Sequence, residues 1–286
     1  MFLVTGAAGK TGRAIIQALS EQKARVRAFV YRAEQKEIVE SCGASEVVIG
    51  DLRDEDAFQR AAQGAHKIYH ICPNVSPDEV EIGQIAIAAA QAACMDHFVY
   101  HSVLHPQTQK MPHHGLKLKV EELLLESGLP FTILQPTIYY QNILSEWERI
   151  VERGVYSVPY AVAMELSMVD LPDVAEVATR ILAEPGHTGA TYELCGVNLI
   201  SAEEIAKKLS EKLDQRIRVE RRSIQEWTHQ AKRSGLGEYQ IDVLVKMFRY
   251  YDTYGLPGND RVLRFLLGRE PTGIRAFIDR VISSRV

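Results

Sequence analysis

Short apolar runs alternate with longer stretches of helical spacing through the first 136 residues. Phe2 to Thr5 reads as a buried strand, Ala14, Ile15, Ile16, Ala18 and Leu19 then recur at helical spacing, and Arg25 to Tyr31 returns to alternation around Val26, Ala28 and Val30. Strand, helix, strand is one βαβ unit. The same rhythm predicts strands over 46–49, 67–71, 97–101 and 130–134, with helices over 54–63, 80–94 and 115–126. Such alternation builds a parallel sheet covered by helices, an α/β fold.

Beyond Pro136 helical stretches dominate. A strand is expected at Thr191 to Leu194, and Ser201-Ala202-Glu203-Glu204 reads as a capping box ahead of Ile205 and Leu209. Trp227, Met247, Phe248, Tyr250, Tyr251 and Tyr254 mark a helical lobe rich in large side chains, read as lobe core rather than a stacking wall, and Leu256-Pro257-Gly258 breaks it before a last pair of helices. The division predicted is 1–136 as the dinucleotide-binding domain, with segments around 155–195 returning to its sheet, and 137–286 as a mostly helical substrate or lid subdomain. Such a lobe over the carboxyl ends of the strands would close a crevice, where open α/β sheets bind ligands.

With 286 residues, 46% hydrophobic and 24% charged, the chain has ample material for a core, which excludes disorder. The 33 basic against 37 acidic side chains give a net charge of −4, so no overall field favours nucleic acid or an anionic membrane. No apolar run spans a bilayer and the amino terminus lacks signal-peptide character, so a soluble, unprocessed, cytoplasmic protein is expected. Cys42, Cys72, Cys94 and Cys195 are scattered without a CxxC pair and read as reduced core thiols.

The most informative string is Thr5-Gly6-Ala7-Ala8-Gly9-Lys10-Thr11-Gly12, directly after the first strand and opening the first helix. In a GxxGxxG loop at that place, Gly6 allows a tight turn, Gly9 lets backbone approach a pyrophosphate, and Gly12 lets the helix pack closely on the strand. The amides of Ala8, Lys10 and Thr11 then face the phosphates at the positive end of the helix dipole. Arg13 follows Gly12, so this is not the GxxxxGK[ST] loop of ATP or GTP hydrolases. The second strand ends in Val30-Tyr31-Arg32 with no carboxylate for a ribose 2′-hydroxyl, and a guanidinium at Arg32 suits a 2′-phosphate, so NADP(H) is preferred to NAD(H). Asp51 and Leu52, after the third strand, stand near the expected adenine. Helix capping is an equal reading for Asp51.

At the end of the fifth strand stand Tyr100-His101-Ser102-Val103-Leu104, followed by His113-His114-Gly115-Leu116-Lys117 and Glu121. The layout looks like a short-chain dehydrogenase site, a Ser after the fifth strand and a YxxxK pair on the next helix, with the Tyr absent. Together with TGAAGKTG, HSVLHP, KVEELLLESGLPFTILQP and LLGREPTGIRAFI, it resembles the NmrA-like family of atypical short-chain dehydrogenase relatives, over nearly the whole chain. The resemblance implies a Rossmann-type doubly wound parallel sheet with a smaller carboxyl-terminal subdomain, and NADP(H) binding. By motif it implies Gly6, Gly9 and Gly12 on the pyrophosphate, Arg32 on the 2′-phosphate and Lys117 on the nicotinamide ribose. It further implies Ile71, Cys72 and Pro73 along the cofactor, and Pro136 and Tyr139 bordering the nicotinamide. Where the family often has Arg before that Pro, Gln135 stands here. Some members reduce quinones or dyes; others sense the cofactor without turnover.

Ser102, His113 and Lys117 are the candidate catalytic residues. Ser102 is a candidate substrate donor or a strand-end cap. His113 lies four residues before Lys117 and shares its helix face, so a nearby ammonium lowers the imidazole pKa and leaves it neutral and a poor stand-in for Tyr. Direct hydride transfer to an acceptor that spreads negative charge, such as a quinone, needs less proton assistance. The expectation is therefore an NADPH-dependent reductase of a quinone-like small molecule in the crevice between lobes, a monomer or homodimer without a metal. A non-catalytic NADP(H) sensor is the alternative, and a sugar-nucleotide epimerase or dehydratase stands further behind. His97, His101, His105, His113 and His114 lack the spacing of a metal set.

Overall fold

The computed structural model describes residues 1–284 and divides into two compact units. The first comprises 1–108, 113–136 and 174–192; the second comprises 109–112, 137–173 and 193 onward.

In the first unit, β1 (Phe2–Val4), α1 (Lys10–Glu21), β2 (Val26–Val30), α2 (Lys36–Ser41), β3 (Glu46–Ile49), α3 (Glu55–Ala62), β4 (Lys67–His70), α4 (Glu79–Ala92), β5 (His97–His101), α5 (Pro112–Glu126) and β6 (Phe131–Pro136) follow one another. The strands assemble a seven-stranded sheet in the order β10-β6-β5-β4-β1-β2-β3, with β10 (Ala190–Leu194) supplied late in the chain. Each neighbouring pair from β6 to β3 is parallel. The order reverses between β1 and β4, the switch point at which open α/β sheets leave room for a ligand. Leu3, Phe29, Phe58, Ile68, Phe98, Tyr100, Val120, Leu124 and Ile133 join one core between the sheet and α3, α4 and α5. Each such side chain contributes about 1.5–3 kcal/mol on burial.

Two close approaches set where α4 and α5 lie. A Cβ on Gly83 of α4 would stand 2.8 Å from both methyl carbons of Val120 on α5, so only glycine lets these helices touch. One turn away, the same approach brings Glu79 of α4 to Lys117 of α5. The α3 cap is Asp54, which accepts from the Ala57 amide; the alternative reading of Asp51 as the cap is corrected, because its carboxylate is turned to Arg53 instead.

The second unit contains β7 (Ile138–Tyr139), a 3₁₀ turn (Tyr140–Glu146), α6 (Trp147–Arg153), β8 (Val155–Val158) and β9 (Leu166–Val169). The start of α7 (Leu171–Ala183) belongs to it, and then β11 (Leu199–Ile200), α8 (Ala202–Leu213), β12 (Arg218–Arg221), α9 (Ile224–Arg233), α10 (Glu238–Tyr254), α11 (Arg261–Leu267) and α12 (Ile274–Ser283). Of the 155–195 stretch expected to rejoin the main sheet, only β10 does. β8 pairs with β12, and β9 lies between β7 and β11, because each of these short strands finds a nearer partner inside the helical unit.

Ser201 and Glu204 form the expected capping box of α8. Phe248 packs on Trp227 at 4.8 Å and Tyr251 on Tyr160 at 5.9 Å, which makes these two rings lobe core, whereas Tyr254 is half exposed. Buried Asp170 accepts from Arg280 and Gln141, and buried Asp173 from Arg269 and Thr272, which anchors the Leu266 to Ile278 string inside its unit. All four cysteines are free. Cys72 and Cys195 are buried, Cys42 is half-buried, and Cys94 is exposed rather than in the core, because it follows the end of α4 at a left-handed φ of 48°.

His70 and His101 sit within the sheet. Thr5 Oγ1 lies 2.9 Å from His70 Nδ1, and the Tyr69 hydroxyl 2.7 Å from His101 Nδ1. Burial, with a smaller effect from the Lys117 charge, pushes both imidazoles down to about 3. They stay neutral in the folded chain while an unfolded histidine takes a proton near pH 6.5, so their contribution to stability is complete above that value and is lost as pH falls toward 3. Urea unfolding between pH 6.5 and 5 should therefore show stability falling by on the order of 1 kcal/mol per pH unit for each histidine. The slope should shrink by about one proton in His101→Asn; an unchanged slope would contradict this assignment.

Candidate functional site

Gly6, at the end of β1, adopts a left-handed φ of 56°, and a Cβ there would meet the Ile71 carbonyl oxygen at 2.8 Å. At Gly12 the constraint is tighter still: a Cβ would stand 2.5 Å from the Gly6 carbonyl oxygen and 2.6 Å from Ala7 Cα. Gly9 is the residue before the first helical turn of α1, with no side chain capping it. The amides of Lys10, Thr11 and Gly12 belong to that first turn, where no intrahelical acceptor exists. The result is a cradle of backbone donors that side-chain carbon would fill, at the positive end of a 12-residue helix. A pyrophosphate fits the donor set.

The other residues read as cofactor-binding on the first unit are distributed around this loop. Arg32 follows β2, is exposed, stacks over the Tyr31 ring at 5.7 Å, and makes no ion pair among the described residues. The carboxylate of Asp51 is held below the usual range by hydrogen bonds from Arg53, and Leu52 leans on the core. Ile71 is clamped through its backbone, donating its N–H to Thr5 Oγ1 at 2.8 Å and accepting from the same hydroxyl at 3.1 Å. Cys72 is buried, which pushes its thiol up with help from the negative charge of Glu79, so it is no nucleophile; Pro73 is exposed. Lys10 is solvent-facing at the start of α1. Pro136 closes β6, buried, whereas Tyr139 belongs to β7 of the second unit.

Of the three residues read as catalytic, His113 and Lys117 lie on α5 and Ser102 lies just past β5; Lys117 and Ser102 are already engaged. The Lys117 ammonium donates to Glu79 Oε1 at 2.9 Å and to the His101 carbonyl at 3.1 Å, and lies 5.1 Å from the Tyr100 ring centre. Glu79 is fully buried and also accepts from the Tyr100 hydroxyl at 2.8 Å. One N–H direction of the ammonium is left beyond these two bonds. Ser102 donates its hydroxyl to Glu121, one turn along α5 from Lys117, and Gln135 donates its side-chain amide to both oxygens of Glu121 at 2.9 and 3.0 Å.

His113 is buried and its pKa falls to about 3, first by burial and then by the charge of Lys117, so the expected neutral imidazole has desolvation as its leading cause. Its Nδ1 is a buried atom with no partner. His114 meets the His113 ring edge-on, the rings at 86° and 6.3 Å apart, with its own Nδ1 3.2 Å from the His105 carbonyl oxygen. Among the described residues no group of three or more His, Cys, Asp or Glu side chains is placed to hold a metal. None of the described helices is long and apolar enough to cross a membrane.

Glu79 and the tether role of Glu121 escaped the sequence reading. Glu79 sits in the first turn of a helix, where acids are favoured whatever their role, so nothing in the local pattern set it apart. The only available signal was its spacing of four from Gly83, the position at which α4 meets α5.

The chain is similar in sequence and fold to several known proteins. The NAD(P)H azoreductase of Xenophilus azovorans is 30% identical over 211 residues, 73% of each chain. Quinone oxidoreductase 2 of Escherichia coli strain K12 is 25% identical over 291 residues, 99% of each chain. A crystal structure of NADPH-dependent quinone oxidoreductase from Escherichia coli complexed with NADPH superposes with a TM-score of 0.85, at 25% identity, over 99% of this chain and all of that one. The Citrobacter sp. triphenylmethane reductase complexed with NADP(H) shares the fold at 21% identity, with a TM-score of 0.85 over 98% and 99% of the two chains. Residues 1–285 match the NmrA-like family, and the chain belongs to it.

Proposed function

We infer that the protein is an NADPH-dependent oxidoreductase that delivers hydride directly to a quinone or similarly conjugated small molecule. The observation that carries this reading is the backbone cradle at Gly6, Gly9 and Gly12, opened at the sheet's switch point by close approaches that only glycine allows. Relatives named as an azoreductase and a quinone oxidoreductase support the substrate class, since azo compounds and quinones are both conjugated acceptors.

NADPH, when bound, supplies a hydride from C4 of its nicotinamide. The chain's part is to bind, orient and exclude water. The amides of Ala8, Lys10, Thr11 and Gly12 would hold the pyrophosphate, with Gly9 leaving room for its approach and Lys10 adding charge, and Arg32 would pair with the 2′-phosphate through charged hydrogen bonds. Asp51 and Leu52 would stand by the adenine; Ile71, Cys72 and Pro73 would line the cofactor, with Pro136 beside its nicotinamide. The remaining N–H of Lys117 would meet a ribose hydroxyl, its position fixed by Glu79 and the His101 carbonyl.

His113 occupies the place where short-chain dehydrogenases carry Tyr, and it is held neutral. A neutral imidazole has no acidic proton to deliver to an isolated carbonyl oxygen, which disfavours alcohol and ketone chemistry. A conjugated acceptor delocalises the charge brought by the hydride and lowers that demand.

Purified protein should oxidise NADPH, followed by the nicotinamide absorbance, in the presence of a naphthoquinone or a monoazo dye. Cofactor binding without oxidation by any acceptor would reject the reductase reading. Arg32→Glu should weaken NADPH binding about 10- to 100-fold by losing charged hydrogen bonds. NADH affinity should change less than about threefold, a shift within the worth of one exposed charge contact. Equal loss for both nucleotides, measured by calorimetry, would remove the 2′-phosphate role.

A further inference from the structure

Three polar side chains meet in the first unit at the carboxyl ends of β5 and β6, and the cofactor assignments use none of them. Ser102, Glu121 and Gln135 are 3%, 6% and 7% exposed. The Ser102 hydroxyl donates to Glu121 Oε1, and the Gln135 amide donates to both carboxyl oxygens. Glu121 forms no ion pair among the described residues, because Lys117, the cation one turn away, is turned to Glu79 and the His101 carbonyl. Such an arrangement is poor for a purely structural carboxylate, which gains most from a cation. It suits a carboxyl group that exchanges a proton.

We propose that Glu121 and Ser102 form a two-link proton relay for the reductase reaction, with Gln135 holding the acid in place. The relay rests on the reductase reading above. In the step, the acceptor gains two electrons and one hydrogen with the hydride. When Glu121 is protonated, its acid hydrogen takes over the contact now donated by Ser102 and points to Ser102 Oγ, which frees the serine hydroxyl. Ser102 then passes its proton to the acceptor heteroatom that has become basic, and the Glu121 proton replaces it on Oγ. A quinone leaves as a hydroquinone, an azo N=N group leaves as a hydrazine, and the Glu121 carboxylate recovers a proton from water.

The surroundings favour the protonated acid. Burial pushes the Glu121 carboxyl above the ordinary glutamate value, against the opposing effects of the Ser102 and Gln135 hydrogen bonds and the Lys117 charge. The groups around it are Tyr100 on β5, Ser102 just past that strand, Gln135 on β6, Lys117 on α5 itself, and Glu79 on α4 beyond Lys117. Glu79 offsets the ammonium at 2.9 Å, so the cation that would hold Glu121 ionised is largely spent. A guanidinium at position 135 would pair with the carboxylate and pin its charge; a neutral amide positions the group without doing so. A neutral acid also spares the newly anionic acceptor a like charge. Among the described residues, the two other buried groups beside Lys117 do not fill the role: the imidazole of His113 is neutral, and the Tyr100 hydroxyl is held by Glu79.

Ser102 is the catalytic residue in this scheme, and Glu121 acts through it. The test uses the full chain with NADPH and two acceptors, a naphthoquinone and a monoazo dye whose nitrogens must be protonated for turnover. Glu121→Gln and Ser102→Ala should lower kcat for the dye about 100-fold, within the range for lost general-acid catalysis, and for the quinone about 10-fold. KM should change little, and the solvent deuterium isotope effect on dye reduction should grow, because protonation then limits the rate. Without any nucleotide, ¹³C NMR titration of side-chain-labelled glutamate should place Glu121 above the ordinary glutamate value, and Gln135→Arg should bring it below while slowing dye reduction as Glu121→Gln does.

Equal loss of both activities with an unchanged isotope effect, or a Glu121 that titrates at or below the ordinary value, would make the trio a tether and overturn the relay. Should Glu121→Gln fail to fold, Gln135→Arg and the titration of the unaltered chain decide the matter. A wild-type protein that binds NADPH but reduces neither acceptor fails the reductase reading instead, which separates the two conclusions.

Discussion

A Cβ on Gly12 would lie 2.5 Å from the carbonyl oxygen of Gly6, and this approach of helix to strand is what the rest of the nucleotide site depends on. It fixes the start of α1 against the end of β1, so the helix presents bare amides instead of a capped terminus. Gly6 carries the constraint across the switch point, because its missing side chain lets the β1 turn lie on the carbonyl of Ile71, the residue after β4. A larger residue at either position pushes apart two backbone segments that the sheet holds in register. Arg32 owes its position to the same scaffold, because β2 runs parallel beside β1 and delivers the guanidinium to solvent just past the strand.

A second constraint is electrostatic and runs along α5. His113, Lys117 and Glu121 are spaced four apart, and all three are buried against the carboxyl-terminal half of the sheet. Desolvating an ammonium and a carboxylate costs several kcal/mol each, so the Glu79–Lys117 pair adds little net stability. What it fixes is direction. With Glu79 and the His101 carbonyl taking two of the three N–H bonds, the lysine is a positioned donor with a compensated charge. That compensation also changes its neighbours, since a cation tied to Glu79 does little to acidify His113 or to hold Glu121 ionised. The close packing of Gly83 on Val120 keeps α4 near enough for the pairing.

Those elements that carry a long period were legible in the sequence. Strand runs of three to six residues alternating with longer helices define the parallel sheet, and the glycine loop is unambiguous because it stands between a strand and a helix. The strands of the second unit were not, since β7, β8, β9, β11 and β12 are two to four residues long and contain no repeat of alternation to read. Asp51 and Asp54 are both acids near a helix start, and only the structure shows Asp54 accepting the cap bond. For the polar site, sequence identified Lys117, His113 and Ser102 but not what engages them. Ser102 and Glu121 are 19 residues apart and meet because β5 and α5 pack together, a tertiary fact without local pattern. Gln135 was visible only as a departure from the family's usual arginine; its bonds to Glu121 give that departure a physical meaning.

The absent tyrosine and the uncharged Gln135 together bear on the choice of substrate. In a site with Tyr beside a free lysine, positive charge acidifies the phenol and the oxygen of a simple carbonyl is protonated as hydride arrives. Here the lysine charge is offset by Glu79, the residue in the Tyr position is a desolvated imidazole at about 3, and the neighbouring Glu121 has no cation. A site arranged this way stabilises a developing alkoxide poorly, because localised negative charge finds no uncompensated cation nearby and a proton would reach it only by way of the proposed Ser102 relay. An acceptor that disperses the charge over a conjugated frame presents a much smaller demand, which shape, desolvation and alignment are able to meet. A preference for conjugated acceptors, as proposed, would thus follow from charges the site has neutralised as much as from groups it supplies.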